Sequence, residues 1–478
     1  MSPPPQPHTG VVDLPSAGVP ADHGLASLGL LMQLAGRASG ALAALVASVF
    51  VLESRLHRNA GWFCFAVALC IARSQLHRIA GRDLLYSRRT AEGGVAPPFA
   101  AMRSYIAFGI GQAIVLGLIA TLPLGATPRT AGGIVAALAL WPVVLAVMWR
   151  LPRFRPLHAG IPLGEDRGLE SASILMTVLA ACGALSTAGI VMVLGELPSR
   201  HLQHGWGAML VVAFALLLIR SCLHLRVGLA GLRDSSFDRP GELASRYASF
   251  GVLSAVCIGG VLSLLAMSER LVPGAIASVI VMCWLLAAWP MIIKRYFNQR
   301  QFAELLAGDR VRHRRAPDAG LTGLGWLLAC HAVVVAALLI LAATVEPRGM
   351  GRALESLLLL TGPMIGRSGL ELAIAAGIVA LELLAAAVIL GMADYRKVIA
   401  TMYALVAGGV ALGAAWPLVQ SFGRHHVDLP MAIRLIPMAI QLVIPAATLV
   451  LVHRAVAPVA RARYRNAGGP PPASVAWL

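Results

Sequence analysis

The sequence predicts an all-α integral membrane protein of about 12 transmembrane helices, arranged as three parallel four-helix repeats, the third divergent. Three observations carry this expectation. First, hydrophobic residues make up 58% of the chain and charged residues 13%, against roughly 45–50% and about 25% in soluble domains. A soluble chain of 478 residues could not hide so much apolar surface in one core, so the bilayer must cover it. Second, apolar stretches of about 20 residues alternate with short Arg-rich segments, the pattern of many membrane spans. Third, Arg73-Ser74-Gln75-Leu76-His77 recurs 147 positions later as Arg220-Ser221-Cys222-Leu223-His224.

Reading the apolar runs in order places spans at about 27–51, 60–81, 104–123, 132–150, 171–195, 207–231, 247–267, 273–294, 321–344, 369–392, 397–418 and 432–453. Residues 1–26 are Pro-rich and lack both the basic start and the apolar core of a signal peptide, so they read as a disordered tail. The repeats then occupy 27–157, 158–316 and 317–457, and 458–478 is a basic and then Pro-rich tail. A collar of Arg454, Arg461, Arg463 and Arg465 precedes Gly469-Pro470-Pro471-Pro472.

Cation counts set the orientation. Loops after even-numbered spans, with the C-terminal collar, hold 26 of the 39 Lys and Arg, and loops after odd-numbered spans hold ten. The remaining three, Arg37, Arg73 and Arg220, lie within spans. Cationic loops stay in the cytoplasm, so both termini are expected there. The run Arg310 to Arg315 is the strongest single marker, while Arg55 and Arg58 in the first external loop run against it. Lys occurs only at Lys294 and Lys397; with the abundance of Ala, Gly and Pro this suggests a GC-rich bacterial genome and hence a multi-pass protein of the inner membrane. The net charge of +17 sits in short loops between spans, which topology explains better than nucleic-acid binding.

The repeats rest on matches that run in order. The first two units share Arg-Ser-x-Leu-His in the second helix, Tyr-x-x-Phe-Gly at the start of the third (Tyr105 to Gly109, Tyr247 to Gly251), and Trp-Pro in the fourth (Trp141-Pro142, Trp289-Pro290). Glu53 and Glu196 end the first helix of each, and Gly61-Trp62 and Gly205-Trp206 open the second. In the third unit Pro445 stands where Pro142 and Pro290 do, and Glu346 matches Glu196, but the Arg-Ser-x-Leu-His motif is gone. Each unit has an even number of spans, so the repeats enter the membrane in one orientation and are related by an axis along its normal.

Chemistry is sought first among ionisable groups at bilayer depth, each of which costs about 2.5–3.5 kcal/mol on insertion scales. His331 lies ten residues into the ninth span, roughly 15 Å deep at about 1.5 Å rise per residue. Glu382 lies eleven residues before Ala393 in the antiparallel tenth span, roughly 16 Å deep by the same rise. A meeting of these two would place a carboxyl at mid-membrane, as proton-coupled transport requires. The alternative is that Glu382 neutralises an intramembrane Arg and holds the bundle together. Arg37 is a rough equivalent of His331 in depth, and Arg73 and Arg220 lie closer to the cytoplasmic face. The three Arg are candidates to ring an anionic site; alternatively Arg73 and Arg220 snorkel to the interface, with His77 and His224 in the headgroup zone. Pro142, Pro290 and Pro445 each break one helical hydrogen bond, as in the broken helices that line transporter sites, although Pro is also ordinary in membrane helices. Gln33, Gln112 and Gln441 read as interhelical glue, and Gly36-x-x-x-Gly40 as a close-packing signal.

Several chemistries fall away. The seven Cys all lie inside apolar spans with no Cys-x-x-Cys pair, so neither a disulfide framework nor a zinc site is in prospect. Three groups of four helices resemble the main subunit of the haem-copper oxidases in architecture alone. That family needs several His at helix depth, including an adjacent pair, whereas His425-His426 falls in an external loop and only His77, His224, His331 and His453 are on helices. Haem binding is rejected, and no cofactor is expected. No Gly-x-x-x-x-Gly-Lys loop, His-Glu-x-x-His or Gly-x-Ser-x-Gly site occurs.

The reading favoured by these residues is a secondary transporter of a small, anionic solute, with Glu382 and His331 handling a coupling proton and Arg37 facing the solute. A membrane scaffold or regulatory subunit is the alternative, its basic loops contacting anionic lipid or a partner, although no loop exceeds about 25 residues by the span boundaries above. A lipid enzyme has the least support, because no nucleophile–base pair is visible. The expected partners are the bilayer and a small anion or proton, with no nucleic acid; oligomeric state is not legible.

Overall fold

The structure is a computed structural model describing residues 24–53, 59–85, 99–151, 154, 169–195, 206–232, 240–268, 273–298, 321–344, 369–391, 395–422 and 441–453. Among them the regular elements are helices and no strand occurs. In chain order they are α1 (Leu25–Glu53), α2 (Ala60–Leu85), α3 (Phe99–Thr121), α4 (Pro128–Met148), α5 (Leu169–Gly195), α6 (Trp206–Leu232), α7 (Pro240–Ser268), α8 (Pro273–Phe297), α9 (Leu321–Thr344), α10 (Gly369–Gly391), α11 (Arg396–Phe422) and α12 (Gln441–His453). Ten are long and apolar enough to cross a bilayer, and the described apolar runs in α5 (Ser171–Leu185) and α12 are shorter. Large apolar side chains, including Leu42, Phe65, Leu122, Val211, Val256 and Leu405, point outward. In water that surface would be untenable on so many helices; in hydrocarbon it costs nothing. The chain is a multi-pass membrane protein.

Local sequence explains the one connection described in full. Gly125, at φ +67°, turns the chain after α3, and the Ala126 N–H closes on the Ala120 carbonyl at 2.8 Å. The Thr127 hydroxyl then accepts the Thr130 N–H at 3.2 Å, with Pro128 at the first helical position. An N-cap Thr followed by Pro is the arrangement that starts a helix cleanly.

Consecutive helices pack as antiparallel neighbours: α1 on α2, α3 on α4, α5 on α6, α7 on α8 and α9 on α10. The helices α1, α5 and α9 also touch one another; α8 packs on α1, and α4 on α9. The deepest burial follows this arrangement. Leu28, Leu30, Met32, Ala172, Leu175, Met176, Leu324, Trp326 and Leu328 near the N-terminal ends of the three central helices are almost fully enclosed. Small residues allow this approach: a Cβ on Gly323 would strike the Ser171 backbone, and one on Gly24 would lie 2.8 Å from Thr322 Cβ. Between α4 and α9, the Arg129 guanidinium donates to the Ala343 carbonyl at 2.6 Å and the Thr130 hydroxyl to the Thr344 carbonyl at 3.0 Å. A cation at the C-terminal carbonyls of α9 complements its helix dipole.

Both tails, Arg55, Arg58, Glu196, Gly205, Arg310 to Arg315, Glu346, His425-His426 and the Arg454 collar lie outside the described residues.

Candidate functional site

Pro142 and Pro290 stand inside α4 and α8. Because proline has no N–H, it strips the hydrogen bond from the carbonyl four residues earlier, which is Leu138 in α4 and Leu286 in α8. Those two carbonyls are the ones that the guanidiniums reach. Arg73 Nη2 donates to the Leu138 oxygen at 2.7 Å, and Arg220 Nη2 donates to the Leu286 oxygen. The proline and the arginine of each group are therefore two halves of one device: one helix gives up a donor and another supplies it.

The other motif residues complete the same device. Tyr105 and Tyr247 are 1% exposed, and each lies beside the neighbouring guanidinium, Arg73 or Arg220. His77 stacks on Tyr105 with centroids 4.4 Å apart, and His224 on Tyr247 at 5.0 Å. The indole N–H of Trp141 donates to His77 Nε2 at 3.2 Å, and that of Trp289 to His224 Nε2 at 3.3 Å. An indole can only donate, so Nε2 holds its lone pair and both imidazoles are neutral, with their proton on Nδ1. Gly109 and Gly251 make room for the proline rings: a Cβ there would lie 2.7 Å and 2.5 Å from Pro142 Cγ and Pro290 Cγ. Gly109→Ala should therefore lower stability by ~1–3 kcal/mol through overpacking, whereas Gly111→Ala, where a Cβ meets nothing within 4 Å, should not. Thermal unfolding of the two variants in detergent checks this.

These positions differ between the two arginines, Arg73 being half-buried. Arg220 is 7% exposed, and His77 and His224 are each 6% exposed. Each arginine has, within the bundle, an acceptor orphaned by a proline. The two guanidiniums also do not share one ring. Arg73 bonds to residues of α3 and α4, and Arg220 to residues of α7 and α8. Arg37 is on α1, half-buried.

The third site is built differently. Glu382 on α10 is 2% exposed, and its Oε1 lies 2.8 Å from Nδ1 of His331 on α9. Among the described residues it pairs with no Arg, so the reading of Glu382 as an Arg counterion gives way to the His331 pair. Tyr403 of α11, 2% exposed, lies beside the same carboxylate. Tyr403 was not among the expected site residues. Glu382 thus stands to Tyr403 as Arg73 stands to Tyr105 and Arg220 to Tyr247, with the sign of the charge reversed. Pro445 is the fifth residue of α12, its ring 3.9 Å from where a Gly408 Cβ would be.

Two of the three polar residues expected as glue act as such. Gln33 Nε2 donates to the Arg78 carbonyl at 2.8 Å, and Gln112 receives Arg73 Nη1 at 3.4 Å. Gly36 and Gly40 face Ser74 of α2, whose hydroxyl donates to the Gly36 carbonyl at 2.5 Å. Among the described residues no cluster of three His, Cys, Asp or Glu could hold a metal ion. Nor does a carboxylate meet Arg73 or Arg220 there.

Comparison of the chain with family models, curated proteins and solved structures gives no match.

Proposed function

We propose that this protein is a proton-coupled secondary transporter of a small anion, with Glu382 and His331 as the proton site. The observation that carries the reading is the enclosed Glu382 carboxylate, bonded to an ionisable His331 at 2.8 Å and to no arginine among the described residues. A carboxylate meant only to hold a bundle together is best neutralised by a permanent cation, and among the described residues the buried Arg220 and the half-buried Arg73 stand without a carboxylate partner. Pairing with imidazole instead gives two groups that can each take up or release a proton. His331 is 25% exposed and Glu382 2%, so in this proposal the imidazole is the outer member of the pair and the carboxylate the enclosed one. The two guanidiniums leave the interior with a positive excess that suits an anion.

In this proposal the chain consists of three parallel four-helix units in the inner membrane, α1–α4, α5–α8 and α9–α12, with both termini cytoplasmic. The matching contacts of Arg, Tyr, His, Trp and Pro in the first two units support the duplication. The Glu382–Tyr403 contact supports a third unit that has exchanged a cation for an acid.

The test uses proteoliposomes loaded with a pH-sensitive dye and given inward gradients of small anions. Wild type should acidify or alkalinise the lumen with at least one anion, and Glu382→Gln should abolish that movement. Dye traces no different from empty liposomes across the anion panel would refute the transporter reading.

A further inference from the structure

We propose that Arg220 is the anion site: its Nη1 amino group binds a small monovalent anion such as a halide or a single carboxylate or nitrate oxygen. Three facts meet at this nitrogen. Arg220 is 7% exposed, so its charge is held away from water. Its Nη2 is committed to the Leu286 carbonyl, but Nη1 is buried with no hydrogen-bond partner among the described residues. No carboxylate there neutralises it. A buried charged donor left without an acceptor carries a penalty of about 1–3 kcal/mol or more, and an anion that accepts from it recovers that loss through a charge-assisted bond.

The α2–α4 group shows what is missing. There the same nitrogen of Arg73 donates to Gln112 Oε1 at 3.4 Å. The shift of 142 positions that superposes Tyr105 on Tyr247 puts Ser254 in the place of Gln112. Ser254 is fully buried, too short to reach the guanidinium in this way, and turns its hydroxyl to the Gly251 carbonyl at 3.0 Å. One group thus carries its own acceptor, and the other has lost it while keeping the cation. Because one positive charge is uncompensated, a monovalent anion is the match. The site is closed in this state, since Nη1 touches no solvent. Admission requires α8 to part from α6, and Pro290 is where α8 bends most readily.

This inference rests on the transporter reading only for the use made of the anion; binding itself does not need transport. Purified full-length protein in gluconate buffer is titrated with chloride, nitrate and formate, and thermal unfolding is followed. A site that binds only the folded state raises Tm in a saturable way. Wild type should respond to at least one of the three anions. Ser254→Gln, which supplies the acceptor from within, should have a higher Tm in gluconate and no anion response. Gln112→Ser should add a second anion-dependent rise. Overturning results are no response in wild type, or an undiminished response in Ser254→Gln. Should Ser254→Gln fail to fold, Gln112→Ser decides: a larger response than wild type supports the site, and an unchanged one refutes it. Glu382→Gln should keep the anion response, so a lost proton flux with intact binding separates failure of the transporter reading from failure of this one.

Discussion

Arg73→Met should destabilise the protein, and Pro142→Ala should rescue it. In the wild type the Leu138 carbonyl has lost its helical donor to Pro142 and has gained Arg73 Nη2 at 2.7 Å. Removing the guanidinium leaves that oxygen orphaned in a bundle where water is scarce, at a cost of about 1–3 kcal/mol. Intramembrane hydrogen bonds measured by double-mutant cycles run lower, to about 1.7 kcal/mol at most, so a loss of ~1–2 kcal/mol is the expected size. Alanine at 142 brings back the N–H and closes the helical bond, so the double variant should be more stable than Arg73→Met alone. The pair Arg220→Met and Pro290→Ala should behave alike, with the smaller loss, because Met also removes the unsatisfied Nη1 of Arg220. Strict additivity in either cycle, read by thermal or chemical unfolding in detergent, would show that the arginines do not serve the proline-freed carbonyls.

His331→Leu should give the largest loss of stability of any single change at the third site, and Glu382→Gln a small one. Taking away the imidazole strands a carboxylate that is 2% exposed with only Tyr403 beside it. Breaking a buried pair by deleting one member costs about 3–5 kcal/mol, because the remaining charge has neither water nor partner. Gln at 382 keeps an acceptor for His331 and carries no charge to strand. Adding Glu382→Leu to His331→Leu should then recover most of the lost stability, while all three variants lack proton movement. Stability and function are thereby separated at one site. If His331→Leu unfolds like wild type, the contact at 2.8 Å is incidental to the fold.

The membrane class and the apolar runs were legible because hydrocarbon demands about 20 apolar residues per helix; a described helix overlaps each expected span, and ten of these helices are long and apolar enough to cross a bilayer, although α7 begins seven residues before its expected start and the described part of α12 nine residues after. The meeting of His331 and Glu382 was legible from depth alone, since antiparallel neighbours bring equal depths together. The repeated motifs marked the right residues but not their purpose. Arg-Ser-x-Leu-His, Tyr-x-x-Phe-Gly and Trp-Pro sit on three different helices, and only packing shows that the arginine serves the carbonyl four residues before the proline. A signal was present nonetheless, because arginine and proline shift together by 147 and 148 positions. Tyr403 escaped notice because Val406-Ala407 replaces the Phe-Gly that accompanies Tyr105 and Tyr247. Its position near the start of α11, like theirs in α3 and α7, was the clue. The difference between Gln112 and Ser254 carried no meaning in the sequence, since neither residue reveals which nitrogen it faces.

The most direct test of Glu382 as a proton carrier is infrared difference spectroscopy of the reconstituted protein across pH, wild type against Glu382→Gln. The account predicts a carboxylic-acid C=O band that appears on acidification, shifts in heavy water and is absent from Glu382→Gln. A spectrum without that band, or one in which the band survives the substitution, would make Glu382 a fixed structural charge and contradict the proposal.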